Sequence, residues 1–172
     1  QWVKDGIMIA FRTGMRPGEI YALKWSDISL SVGYISVQRA ISRAGSATKE
    51  TKTPNGTRRI DIDQKLTSYL RDMPSRNNSI YVFPAPPEGH HEYRVPWNIS
   101  KKLKEMCVRA GIPPRNFYSL RHSHATILFE LGVHPKIVQE RLGHSSILIT
   151  SETYSHITPT IQQQAVDALK NI

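Results

Sequence analysis

Apolar residues at helical spacing, shut off again and again by a glycine, constrain this chain more than any other feature. Trp2, Val3, Ile7, Ala10 and Phe11 recur at near-helical intervals and stop at Thr13-Gly14. The basic stretch Ser100 to Ala110 carries Leu103, Met106 and Cys107 and stops at Gly111. Leu120, Ile127, Leu128 and Leu131 share a face of a stretch from Ser119 that ends at Gly132, and Pro135 to Leu142 ends at Gly143. Glycine reaches the left-handed conformation that closes a helix, so each of these stretches is predicted helical. Pro17 suits a first helical position and opens a short helix directly after Arg16. Gln64 to Asp72 gives another helix with Leu66 and Leu70 inward. Thr158-Pro159 opens a last one, whose stripe of Ile161, Ala165, Ala168, Leu169 and Ile172 covers either the same domain or a neighbouring protomer.

Strand signals are fewer. Tyr34 to Ile41 is β-prone, Thr57 to Asp63 alternates with Ile60 and Ile62 on one face, and Ile80 to Phe83 is expected to form a short strand before a loop over Pro84 to Pro96. Asn55-Gly56 is a strong hairpin signal, which puts Lys52 on a strand just before a tight turn, paired with the strand carrying Arg58 and Arg59. The expected fold class is mainly α with a small antiparallel β-sheet, an α+β domain occupying residues 1–172. The chain opens at Gln1 directly before a helical pattern and is expected to be the C-terminal part of a longer protein.

Charge narrows the partner. The 23 Lys and Arg against 14 Asp and Glu leave +9, which favours an anionic partner such as nucleic acid. No apolar run is long enough to span a bilayer, so no membrane role is expected. The lone cysteine, Cys107, allows no internal disulfide, and a cytoplasmic location is expected. His90-His91 lacks the spaced partners that metal ligation needs, so no metal site is expected.

Several positions carry candidate chemistry. Arg16 sits at a helix N-terminus, where backbone N–H groups and the helix dipole attract phosphate and a guanidinium adds a bidentate fork. Lys52, with Lys49 as a competitor, lies in a basic hairpin whose lysines can equally protect a sheet edge. Tyr118, Arg121 and His122, at i, i+3 and i+4, are expected to cluster near one helix end. Gly143 delivers His144, and Tyr154 shares a helix face with Ile147.

In order along the chain, Thr13 to Glu19 (TGMRPGE), Lys52 beside its hairpin, Leu120-Arg121-His122, Leu142-Gly143-His144 and Thr153-Tyr154-Ser155-His156 together resemble the catalytic domain of the tyrosine recombinases, the phage-integrase family. The resemblance covers most of the chain. It implies a helical domain clamping duplex DNA, with Arg16 and Arg121 as the catalytic arginines, Glu19 as a supporting acid, Lys52 as the hairpin lysine, His144 as the late histidine and Tyr154 as the nucleophile. It also implies four protomers around two duplexes, upstream DNA-binding domains, and a source in a phage, a transposon or a chromosomal resolution system. One position departs from the family pattern: the histidine usual three residues before the second arginine is Tyr118 here.

That chemistry asks for these groups. Phosphoryl transfer is catalysed chiefly by positioning and by neutralising charge on the nonbridging oxygens, which forked arginines do without metal, ATP or other cofactor. A free phenol ionises near pH 10, so Tyr154 needs neighbouring positive charge or loses its proton during attack. Lys52 is the candidate acid for the leaving oxygen, and His144 the candidate hydrogen-bond donor to the phosphate. Tyr118 can donate a hydrogen bond but is a poor general base beside histidine, and activity is still expected because the remaining catalytic positions are intact. The competing readings are a DNA-binding module without catalysis, a type IB topoisomerase-like strand cleaver, and a metal-dependent hydrolase built on the histidines.

Overall fold

The computed structural model describes residues 1–42 and 57–143, together with the backbone of residues 49–50. The helices are α1 (Trp2–Thr13), α2 (Pro17–Tyr21), α3 (Gln64–Arg71), α4 (Ile99–Arg109), α5 (Phe117–Glu130) and α6 (Pro135–Leu142). The strands are β1 (Ile28–Ser29), β2 (Tyr34–Val37), β3 (Arg39–Ala40), β4 (Lys49–Glu50) and β5 (Arg58–Asp61). A mostly helical domain with a small antiparallel sheet results, as the sequence pattern implies. Among the described residues no helix is long and apolar enough to cross a membrane.

β2 is the middle strand of an antiparallel sheet ordered β1-β2-β5. Its register sets Ile35 opposite Ile60, and both side chains are buried. Alternation along β5 then sends Arg58 to the same side as Ile60, with Arg59 and Asp61 on the other. β3 and β4 form a separate two-stranded pair, with Ala40 opposite Lys49. Lys52 and the Asn55-Gly56 turn lie outside the described residues.

The main core gathers α1, α2, the three-stranded sheet, α3 and α4, with Tyr21, Met15, Leu66, Leu70 and Phe117 among its fully buried side chains. A second, smaller core of Ala125, Phe129, Val138 and Leu142 joins α5 to α6. α5 contributes Phe117 to the first core and Ala125 and Phe129 to the second, so it ties α6 to the body of the domain.

Three sequence expectations need correction. The stretch Ile80 to Phe83 is not a strand: Tyr81 makes only an isolated bridge to Lys24, and the next bridge joins Pro84 to Tyr93. α5 begins at Phe117 and not Ser119, because Asn116 caps it by accepting the Ser119 N–H. The largest difference concerns the inward face of α5, which carries Phe117, Arg121, His124, Ala125 and Phe129, while Ile127 and Leu131 are exposed. The expected face followed apolar residues alone. Arg121 and His124 go inside because backbone carbonyls there satisfy their donors, and a hydrogen-bonded polar group does not carry the desolvation cost of an unpaired one.

Candidate active site

The site forms where α6 ends. A helix leaves its last carbonyls without intrahelical partners, and its C-terminus carries partial negative charge. Gly143 closes α6 in the left-handed conformation (φ +67°) and its N–H returns to the carbonyls of Gln139 and Glu140. The next three carbonyls each receive a guanidinium from a different element. Arg58 Nε donates to Arg141 O at 2.9 Å, Arg121 Nη2 to Leu142 O at 2.7 Å, and Arg16 Nη2 to Gly143 O at 3.3 Å. The residue that follows is His144.

Each arginine has a second anchor. Arg121 Nη1 donates to Gly14 O at 2.7 Å, so its fork spans the end of α1 and the end of α6. Arg16 is the N-cap of α2; Glu19 accepts its backbone N–H at 2.9 Å and its Nη1 at 2.9 Å. Arg58 closes on the same carboxylate bidentately, Nη1 to Oε1 at 3.1 Å and Nη2 to Oε2 at 2.8 Å. Burial alone pushes the Glu19 carboxyl upward, but the Arg58 hydrogen bonds and charge, with Arg16, outweigh it and hold its pKa below the usual carboxylate range. Glu19 therefore stays ionised. Its side chain is 4% exposed and that of Arg16 is 38% exposed, so Arg16 is the member of this pair that presents charge to solvent.

Two glycines are needed for this assembly. A Cβ on Gly143 would lie 2.9 Å from Arg58 Nη1, and one on Gly14 would lie 2.5 Å from Leu142 and 2.8 Å from His124. Gly14 has φ +68°, so both positions are unfavourable for a side chain by conformation as well as by space.

Of the candidate residues, the fold brings together Arg16, Glu19 and Arg121 around one helix end. Arg121 turns inward, whereas Tyr118 and His122 stay exposed at the same end of α5, so the expected three-residue cluster is divided between core and surface. Lys52, His144 and Tyr154 lie outside the described residues. Sequence reasoning missed Arg58, Arg141 and His124. For Arg58 a signal existed, since strand alternation from Ile60 puts it on the buried side. No spacing rule joins it to Glu19.

His124 buttresses the site from behind. Its Nδ1 lies 2.8 Å from Phe11 O, an acceptor only, so Nδ1 carries the proton, and Nε2 accepts from Arg141 Nε at 3.1 Å. Arg141 spreads its remaining donors to Asp61 O and Arg12 O, which joins α6, β5 and α1. A charged imidazole would present an N–H to Arg141, and burial together with the charges of Arg141 and Arg121 lowers the His124 pKa from 6.5 to about 4.

A profile of the phage integrase family matches residues 2–160. A tyrosine recombinase XerC-like protein of Caldanaerobacter subterraneus is 34% identical over 99% of this chain and 49% of its own length. The ICEBs1 integrase of Bacillus subtilis is 29% identical over 95% of this chain and 47% of its own. Among solved structures, the Tn1549 transposon integrase in complex with circular intermediate DNA matches with a TM-score of 0.79 and 20% identity over 96% of this chain and 59% of that one. The XerH recombinase bound to its difH substrate matches at 0.67 and 22% identity over 90% of this chain and 42% of that one. These structural likenesses establish a shared fold. A helical domain with a small sheet and arginines gathered at one helix end is the class of protein defined here, and the chain belongs to the phage integrase family. It spans about half the length of the curated relatives it matches.

The His124 geometry sets a pH window. Because the folded pKa of about 4 lies below the ordinary 6.5, the unfolded chain takes up a proton first as pH falls. The contribution of His124 is complete above about pH 6.5 and is lost toward about pH 4, roughly 3 kcal/mol in all. Urea unfolding at pH 7.5 and pH 4.5 should show that loss, and His124→Phe should lack this part of the acid slope. An unchanged slope in the variant would assign the pH dependence to other groups.

Proposed function

We propose that this chain is the catalytic domain of a site-specific DNA recombinase that cleaves and rejoins duplex DNA through a 3'-phosphotyrosyl intermediate. The observation that carries the reading is the anchoring of Arg16 and Arg121 on the adjacent carbonyls of Gly143 and Leu142, at the point where the chain passes into His144. Two guanidinium groups held side by side suit the nonbridging oxygens of one phosphate. Tyr154 releases its phenolic proton to solvent as its oxygen bonds to the phosphorus, the P–O5' bond breaks, and the departing 5'-oxygen takes a proton from Lys52. A 5'-hydroxyl from a partner strand then attacks the phosphotyrosine and releases Tyr154. The two transesterifications conserve the phosphodiester bond energy, so no ATP is required, and the Arg16 and Arg121 guanidiniums neutralise the phosphate in place of a metal. His144 donates to the phosphate in the transition state, and Tyr118 stands where the family pattern has its histidine.

Duplex DNA is the proposed partner, and the net charge of +9 supports it. The Tn1549 integrase structure holds circular intermediate DNA, and the XerH structure holds its difH substrate, which supports the same partner here. The relatives are about twice as long as this chain, and the whole protein is proposed to carry a DNA-binding region upstream. The apolar stripe of residues 158–172 is assigned to a neighbouring protomer in a tetramer on two duplexes.

A nicked suicide duplex bearing the cognate site tests the nucleophile. Wild-type protein should form a covalent complex in EDTA as well as in magnesium, and Tyr154→Phe should form none. A requirement for a divalent ion would instead favour a hydrolase. Exchange between two site-bearing duplexes separates a recombinase from a topoisomerase-like cleaver.

For Tyr118 the comparison is with phenylalanine and histidine in its place. Loss of its hydroxyl should slow cleavage by about 10²-fold, on the scale of removing one transition-state donor. An equal rate in Tyr118→Phe would make that hydroxyl idle. Truncation after Thr158 should abolish DNA-dependent tetramers while leaving single-site binding, and intact assembly would rule out docking of this segment between protomers.

A further inference from the structure

Arg58 has no role in the reading above, yet it joins the α6 terminus to both oxygens of the Glu19 carboxylate that holds Arg16. Its side chain is 7% exposed, and all three of its nitrogens donate: Nε to Arg141 O, and the two terminal nitrogens to the two oxygens of Glu19. Glu19 in turn holds Arg16 by both its backbone and its side chain, and Arg16 reaches Gly143 O. The contacts close into a ring. Starting at the α6 terminus, it runs through Arg58, Glu19 and Arg16 and returns to the same terminus two residues later.

We infer that Arg58 is a positioning residue, which fixes the Arg16 guanidinium and the α6 end preceding His144 relative to one another by bridging Glu19 to the Arg141 carbonyl. The inference rests on the catalytic reading of Arg16 and His144 given above. The ring explains why burial of Arg58 is tolerated, since a buried ion pair is kept only when its remaining donors and acceptors are satisfied. It also leaves little room for a side chain at Gly143, where a Cβ would lie 2.9 Å from Arg58 Nη1. Arg58 is reached from β5, the strand that follows the segment holding Lys52, so the same bridge transmits the position of the sheet to the arginine pair.

Lysine in its place keeps the charge but cannot span two carboxylate oxygens and a carbonyl at once. With saturating nicked duplex, Arg58→Lys should cleave about 10- to 100-fold more slowly than wild type, the range by which outer partners of a reactive group act. DNA affinity should stay within about twofold, because Arg58 does not present charge to solvent. Its neighbour Arg59, exposed and paired with Asp61, provides the control, and Arg59→Lys should cleave at the wild-type rate. A role confined to stability would lower the melting temperature and leave the rate of the folded protein unchanged. That outcome overturns the proposal.

A second measurement does not depend on cleavage. In ¹⁵N-labelled protein the Arg16 Nε–H should give a sharp, slowly exchanging signal that broadens or disappears in Arg58→Lys, and an unchanged signal also overturns the proposal. Should Arg58→Lys not melt cooperatively, Glu19→Gln removes the charge at the centre of the ring. It should slow cleavage and broaden the Arg16 signal in the same way, and wild-type behaviour there counts against the inference. If wild-type protein forms no covalent complex, the recombinase reading fails, and the Arg16 signal alone decides whether Arg58 positions it.

Discussion

The buried carboxylate of Glu19 is the interaction on which this domain's geometry depends. An ionised carboxyl in the interior is costly, and removing one partner of such a pair typically costs about 3–5 kcal/mol, so its surroundings have little freedom. Glu19 meets that constraint with a bidentate Arg58, the guanidinium of Arg16 and a backbone N–H. Three elements that share no local sequence, α2, β5 and the end of α6, are brought into register by satisfying one charge.

Carbonyl oxygens do the other half of the positioning. Arg121 is held by Gly14 O and Leu142 O, and one arm of Arg16 by Gly143 O. Neutral acceptors orient a guanidinium without cancelling its charge, as a carboxylate would. The arrangement thus combines rigidity with a positive field, which suits electrostatic stabilisation of a phosphoryl group. Glycines at 14 and 143 let the chain ends and side chains approach closely enough for this to happen. Behind them, neutral His124 and Arg141 join α1, β5 and α6 through further carbonyls.

Much of the helical framework was legible in local sequence. Helix boundaries at Gly14, Gly132 and Gly143 follow from conformational preference, which acts residue by residue. The α5 face was not, because a count of apolar residues put Ile127 and Leu131 inside and left out Arg121 and His124. Those two are buried on account of acceptors contributed by α1 and α6, and an acceptor from a distant segment leaves no mark in the sequence around the donor. Ile80 to Phe83 failed for a related reason: β-prone residues need a partner strand, and in this fold Tyr81 finds a single bridge.

The sequence by itself determined which side chains were present and in what order: arginines, a glutamate, glycines and tyrosines in an order that resembles the family's. Side-chain type and short-range spacing are enough for that, since they are local properties. Tertiary structure alone decided that Arg16, Arg58 and Arg121 would cap one helix and that Arg58 and Glu19 would pair across 39 residues. The physical reason is that the satisfaction of buried charges and helix-end carbonyls is a condition on the packed whole, and it has no counterpart in any short stretch of the chain.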